Sequence, residues 1–532
     1  MINIKNLVFI FIFIFTSLFS ANSFADKNEF FFVENNIDNE YFITTSKLSP
    51  RFTGANEFAK FVAKHSSLGY MGMGTWKVGK NYYGDIWLEN SPIKEPFTGN
   101  RCRRDMSGCP DTALNAAEYI LADGAYHIPA FNNDGQSNNA RGIFSNSSYL
   151  FFDKMAVNTQ TTLDYRFCST NKFYDPSKGQ RCVDVEPKNE EKTIYDLTKI
   201  GHLKLISTNA LQEIFVDSNG NAVLGLGSKF CSVTTVANVS GVSCRLVESE
   251  LQGSLISTIR ISLNIDPMLG FDPKSATIKI KGSNFTKWYN YDDRTYATNI
   301  LSVGENGIDV FFSQTFLKEL ITRKIDLSKS QQLFTFGFDN KSVAPQSGFY
   351  EFTPSNTIII KPRDYGISII SKELVNNPYR EGKVGDKEPP LTFDYIVTTS
   401  AFRQADKITA AVEGPQITLR GQSYCLFSSK DKKMNVPFSA YLTYTDEGGS
   451  KVKNRAACDN VPISIKEALW TQTAWPHPYQ LEGYFYRTDL QLTIPMNEST
   501  SLFSMEGEDW IGVVEARGYV NVFAEWSGTD IH

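Results

Sequence analysis

Histidine is scarce, with five in 532 residues, and the basic residues do not outnumber the acidic ones, 53 against 58. The net charge of −5 leaves no cationic footprint for a phosphate backbone, so nucleic acid is not an expected partner. Catalytic signatures are also missing. There is no Gly-x-Ser-x-Gly elbow, no His-Glu-x-x-His, no Walker-type glycine loop and no glycine fingerprint opening a helix. His65, His127, His202, His477 and His532 are scattered, and each reads as an ordinary surface or satisfied buried histidine. No Cys-x2-Cys spacing occurs, so neither a metal site nor a cofactor is expected. Beyond residue 25 no apolar run is long enough to cross a bilayer as a helix.

The first 25 residues stand apart. Lys5 precedes an apolar run from Leu7 to Phe19, and Ser23 and Ala25 place small residues before a cleavage position, the pattern of a secretory signal peptide over 1–25. Export suits the eight cysteines, an even number that argues for disulfides. Spacing alone leaves the connectivity open. Pairing of neighbours across turn-rich segments is expected, as Cys102–Cys109, Cys168–Cys182, Cys231–Cys244 and Cys425–Cys458.

Strand signals dominate the rest. Ile259, Ile261, Leu263 and Ile265 alternate with polar residues, as do Leu490, Leu492, Ile494 and Met496, and turn punctuation such as Gly448-Gly449 separates such runs. Many short strands at this spacing predict an all-β, sandwich-type fold. Helical pattern is rare: one segment from Pro110 to Leu121 and two shorter ones, Phe316 to Ile321 and Ile465 to Trp470. Breakers before Asn356 suggest a boundary, with 26–355 as one region and 356–532 as a second domain. The first region is long for one sandwich and has room for two modules, with a softer break between Cys244 and Lys281. Near the end of the chain "GYVNVFAEW", residues 518–526, puts Val520, Val522, Ala524 and Trp526 on one face of a final strand. Such an edge is a template for pairing with another chain.

Local groups that could carry chemistry are few. Glu190-Glu191 lies in a charged loop, Asp292-Asp293 reads as a turn, and Asp217 to Asn221 reads as a hairpin turn. Arg101, Arg103 and Arg104 bracket Cys102, and such guanidinium forks suit the carboxylate or sulfate groups of acidic glycans. With Trp76, whose ring could stack on a sugar, they are candidate receptor-binding residues; the alternative is a solvated charged loop.

Five blocks carry a resemblance: "FFVENNIDNEYFIT" at 31–44, "WLENSPIKEPFTGNRC" at 87–102, "TIIIKPRDYGISIIS" at 357–371, "FDYIVTTS" at 393–400 and "SYCLFSSKDKKMNVPF" at 423–438. Together they resemble the EcpD-like tip adhesins of the common pilus and, more distantly, the CblD-type initiators of the alternate chaperone–usher pathway. The resemblance implies tandem immunoglobulin-like β-sandwiches: an adhesive region over 26–355 and an incomplete pilin domain over 356–532, completed by a strand from another molecule. It further implies a periplasmic chaperone, an outer-membrane usher and a major pilin subunit as partners, and a host-cell or surface receptor that could be a glycan. The expected role is attachment and biofilm formation at the tip of a surface fimbria, without enzymatic activity. Ile358 and Ile360 on one wall, and Val520, Val522, Ala524 and Trp526 on the other, are the expected lining of the donor-strand groove. A secreted carbohydrate-active enzyme on a β-sandwich, or a pilus initiator with no receptor, are the competing readings.

Overall fold

The computed structural model describes residues 26–46, 52–62, 67–72, 82–102, 114–116, 119–120, 126–131, 140–209, 211–304, 306–325, 333–343, 347–375, 377–476 and 483–528. The expected signal peptide, 1–25, lies outside them.

The strand Asp26–Asn35 serves two cores at once. Phe30 and Phe32 pack with Phe52, Phe152 and Tyr195 in a first core, whereas Phe31 and Val33 pack with Leu203, Leu205 and Val242 in a second. Alternation puts successive side chains on opposite faces, so four consecutive apolar residues are buried by placing one core on each side. The strand runs parallel to Lys188–Ser207 and antiparallel to Phe42–Thr45.

Lys188–Ser207 is a 20-residue strand. Its first half pairs with Gln160–Thr170 and its second half with Val239–Gly253. At about 3.3 Å per residue it runs some ~65 Å, far longer than a typical strand. One sheet therefore continues through both cores, with a register shift between Phe30 and Phe31 where the partner of the long strand changes. Across the second core lies another sheet, in which Arg260–Ile265, Phe334–Asp339 and Phe349–Phe352 are neighbours.

The helix expected at Phe316 to Ile321 is present as Gln314–Thr322, with the Ser313 hydroxyl accepting from the Phe316 amide at 3.3 Å as its N-cap. The other two are not found among the described residues, and much of the segment Pro110 to Leu121 lies outside them. Asn115–Ala116 and Tyr119–Ile120 are strands, and Ile465 to Trp470 is a turn held by an Ala468 amide to Ile465 carbonyl bond. The spacing of Leu114, Ile120 and their neighbours satisfies a helix only if pairing with Phe97–Cys102 and Tyr126–Phe131 is ignored. Conversely, Asn146–Lys154 is a helix that sequence reading missed, because Ser145 to Ser148 looks like a loop; its N-cap is Ser145 and it buries Tyr149 and Phe152.

The C-terminal sandwich has a six-stranded sheet, with Gly366–Ser371, Leu391–Ala401, Tyr484–Ile494, Ala440–Thr445 and Lys451–Ala456 in that order and the short Thr471–Ala474 also paired to Tyr484–Ile494. Facing it across a core that includes Val397, Ile408, Leu442 and Leu490 is Lys407–Glu413, flanked by Ile463–Ser464 and Tyr519–Glu525. Cys425–Cys458 bridges this domain, and Cys168–Cys182 and Cys231–Cys244 are also formed as expected. Closing the 33-residue interval between Cys425 and Cys458 is worth about 3 to 4 kcal/mol in the chain-entropy picture. The Cys102–Cys109 pairing lies outside the described residues.

The expected boundary at 355/356 needs correction. Thr357–Pro362 pairs in parallel with Leu211–Val216, and Ile358 and Ile360 belong to the second core, so this strand completes the central part of the molecule. The chain crosses into the last sandwich between Pro362 and Gly366, where Tyr365 takes a left-handed φ of 62°.

Candidate functional site

The last strand, Tyr519–Glu525, alternates as its sequence requires, yet none of its residues is buried. Its outward side chains are exposed, Tyr519 by 64% and Phe523 by 56%, and the inward Val520, Val522 and Ala524, with Trp526 just beyond, are only half-buried against the core. In a complete sandwich an inward stripe of this kind would be dry. One edge of the strand pairs with Lys407–Glu413, from Lys407 opposite Glu525 to Glu413 opposite Tyr519. Among the described residues its other edge has no partner strand.

A second unpaired edge belongs to Gly366–Ser371, which among the described residues pairs with Leu391–Ala401 alone. Its Ile367 and Ile369 are likewise half-buried against the same core. These two isoleucines, not Ile358 and Ile360, form the wall opposite Val520, Val522, Ala524 and Trp526. Both segments read as strands, and the continuous apolar run in "TIII" is a stronger local signal than the weaker alternation in "GISII". On the side of the core, Phe393 and Tyr395 are half-buried, and burial pushes the Tyr395 hydroxyl up to about 12.

The two free edges approach within 8 Å at Cα. Seating a strand between them requires about 9.5 Å, twice the inter-strand spacing, so the gap is partly drawn shut. One end is closed by an edge-to-face contact between Tyr365 and Trp526. That end is anchored: the Trp526 indole donates to the Arg403 carbonyl at 3.1 Å, Arg403 donates to the Ser527 carbonyl at 2.7 Å, and the Ser527 amide donates to Asp406 at 2.6 Å. Hydrogen bonding from Arg403 and from the Ser527 amide holds the Asp406 carboxyl well below its usual range.

The opposite face of Gly366–Ser371 is dry. Ser368 and Ile370 are buried, Ile370 against Leu211 and Ile359. The Ser368 hydroxyl donates to Glu213, whose carboxylate also accepts from the Leu226 amide at 3.1 Å. Burial pushes the Glu213 carboxyl up. Beside it Arg363, 2% exposed, packs over the Trp475 ring at 4.4 Å and pairs with Asp217 at 3.4 Å.

Of the expected receptor residues, Arg101 falls among the described ones. Arg101 is 2% exposed, bonded to the Ser347 hydroxyl and placed over the Tyr70 ring at 5.2 Å, so it is a core residue and not a surface fork. Its place in Phe97–Cys102, paired with Ala140–Phe144, points it inward. Arg103, Arg104 and Trp76 lie outside the described residues.

Among the described residues one group has metal-ligand character: Glu34, Asp153 and His202. The His202 Nε2 lies 3.3 Å from Glu34 and 3.8 Å from Asp153. Lys199 sits 3.1 Å from the other ring nitrogen, and Lys204 is 3.9 Å from Glu34, so the two carboxylates already face two ammonium groups. The arrangement is an ion-pair cluster joining the first strand, the end of the helix Asn146–Lys154 and the long strand Lys188–Ser207.

Comparison with known proteins agrees with this three-part architecture. Three family models match in succession: the E. coli common pilus adhesin EcpD N-terminal domain over residues 19–203, its middle domain over 207–357, and the EcpD C-terminal domain over 364–524. The chain is 36% identical to the fimbria adhesin EcpD of Escherichia coli strain K12 over 517 residues, covering 94% of this chain and 93% of that protein. It is 35% identical over the same shares to the protein of that name from Escherichia coli O157:H7. Among solved structures, CfaE, the adhesive subunit of CFA/I fimbria of enterotoxigenic Escherichia coli, is 6% identical with a TM-score of 0.20, covering 56% of this chain and 77% of that one. A chaperone–tip adhesin complex of CFA/I fimbriae is 9% identical with a TM-score of 0.18, covering 60% and 95%. These structural likenesses are too slight to bear on the fold, which rests on the strands themselves. The sequence relationships are not slight, and by them the chain belongs to the EcpD family of fimbrial adhesins.

Proposed function

We propose that this chain is the distal subunit of its fimbria, with the region 26–362 facing the receptor and the domain from 363 onward accepting a strand from the next subunit. The observation that carries the reading is the half-wet inward stripe Val520, Val522, Ala524 and Trp526 facing Ile367 and Ile369 across two free strand edges. An extended segment with alternating apolar residues would satisfy both edges and dry the stripe together. In this scheme a periplasmic chaperone supplies that segment first, an outer-membrane usher receives the complex, and the major pilin then replaces the chaperone's strand with its own.

Asp26–Asn35 is built into the sheet between two cores, with Phe30, Phe31, Phe32 and Val33 all fully buried, so this strand is committed to its own fold. Receptor contact falls to the region 26–362, with Arg103, Arg104 and Trp76 as the candidates by sequence and a host glycan or surface as the ligand.

The test is site-directed crosslinking. Cysteine at Val522, paired with single cysteines along the N-terminal extension of the pilin made by the same cells, should give one strongly crosslinked register in assembled fimbriae. Fimbriae that form normally with no crosslink at any register would overturn the reading.

A further inference from the structure

We propose that Glu213 and Ser368 are positioning residues for strand acceptance: the central part of the molecule braces the acceptor strand Gly366–Ser371 from behind. This rests on the groove reading above and adds to it a regulator supplied by the same chain.

The acceptor strand is two-faced. Ile367 and Ile369 look into the groove, whereas Ser368 and Ile370 are buried against Leu211–Val216 and Thr357–Pro362. An edge strand with one ladder and one wet face ordinarily frays. Here the second face is fixed by a buried polar contact, the Ser368 hydroxyl on the Glu213 carboxylate, and by the Ile370, Leu211 and Ile359 cluster. Glu213 is itself held in place: it is fully buried, its second oxygen takes the Leu226 amide, and a Cβ on Gly225 would collide with its carboxylate. Arg487, from the next strand but one in the same sheet, lies near enough to act on it electrostatically. A hydroxyl and a carboxylate buried face to face are costly to separate, since each would be left without its partner. The bond therefore sets where the backbone of residues 367–369 stands, and with it the edge that an incoming strand must match along its whole length.

A donor strand must also widen a gap now under 8 Å. With one wall braced, the movement falls on the other, Tyr519–Glu525, which carries no buried residue. The central domain thus acts on strand capture without touching the donor.

The test uses the full secreted chain and a fluorescent synthetic peptide of alternating valine and threonine, with an all-threonine peptide as control. Binding rate and affinity are read by anisotropy and folding by near-ultraviolet circular dichroism. Ser368→Ala and Glu213→Ala should each weaken capture about tenfold, the loss expected for one buried hydrogen bond. The double substitution should be no worse than either single one. Glu213→Gln, whose amide can donate to Ser368 while its carbonyl accepts from Leu226, should restore capture. Folded Ser368→Ala and Glu213→Ala proteins that bind the Val/Thr peptide like the unaltered chain would overturn the proposal. If the unaltered chain does not distinguish the two peptides, the groove reading itself fails.

Discussion

Tyr365 and Trp526 meet edge to face with ring centroids 5.6 Å apart, joining the residue before Gly366–Ser371 to the residue after the final strand. The contact bridges the mouth of the groove at one end, and its neighbours Phe402 and Trp475 extend it into an aromatic chain. Tyr365→Ala should remove this clasp. An aromatic pair of this kind is worth about 0.5–1.5 kcal/mol beyond its area, so capture of a Val/Thr peptide should speed up severalfold while the melting temperature falls slightly. Unchanged association kinetics would show that the contact does not gate entry.

Val522 tests the groove from inside. Because it is only half-buried, Val522→Asp should cost the lone chain little, under about 1 kcal/mol by denaturant titration. In the completed fold the same carboxylate would be sealed against apolar side chains, at several kcal/mol. The expected result is a folded, secreted protein absent from purified fimbriae. Normal incorporation would remove Val522 from the groove.

Lys199 is fully buried and donates to the carbonyls of Phe152, Asp153 and Met155, each at 2.9 Å, at the end of the helix Asn146–Lys154. Burial draws its ammonium down to about 8. Lys199→Met should leave those carbonyls unmatched, at about 1–3 kcal/mol, and should raise hydrogen exchange in that helix before the rest of the first core. Uniform exchange across the core would argue against this local role.

Glu40 gives a pH dependence of definite sign. Burial first, then the charges of Asp38, Glu57 and Glu351, raise its carboxyl from 4.5 to about 7. The folded form holds this proton more tightly than the unfolded one, so its contribution is complete below 4.5 and is lost as pH rises through about 7. Glu40→Gln should therefore stabilise the protein at pH 8 by about 1–2 kcal/mol, after allowance for solvent screening, and leave it unchanged at pH 4. Equal melting shifts at both pH values would refute the assignment.

The all-β class, three of the disulfides and the helix near Phe316 were legible because each is encoded locally, by alternation, by neighbouring cysteines and by a serine cap. The final strand and its inward stripe were legible for the same reason: Val520, Val522 and Ala524 alternate plainly. The strand that faces them was not, because Thr357–Pro362 and Gly366–Ser371 both read as strands and only long-range pairing decides which sheet each joins. Arg101 was misread on the same grounds. An arginine in a charged stretch looks solvated until Ser347, distant in sequence, is seen to cover it.

The length of Lys188–Ser207, one strand shared by both leading cores, has a mechanical consequence. In the proposed arrangement, drag on a tethered cell would enter at the donated strand and leave through the receptor contact, crossing both leading cores on the way. A girder shared by those two cores would make them turn together under that load instead of hinging against each other.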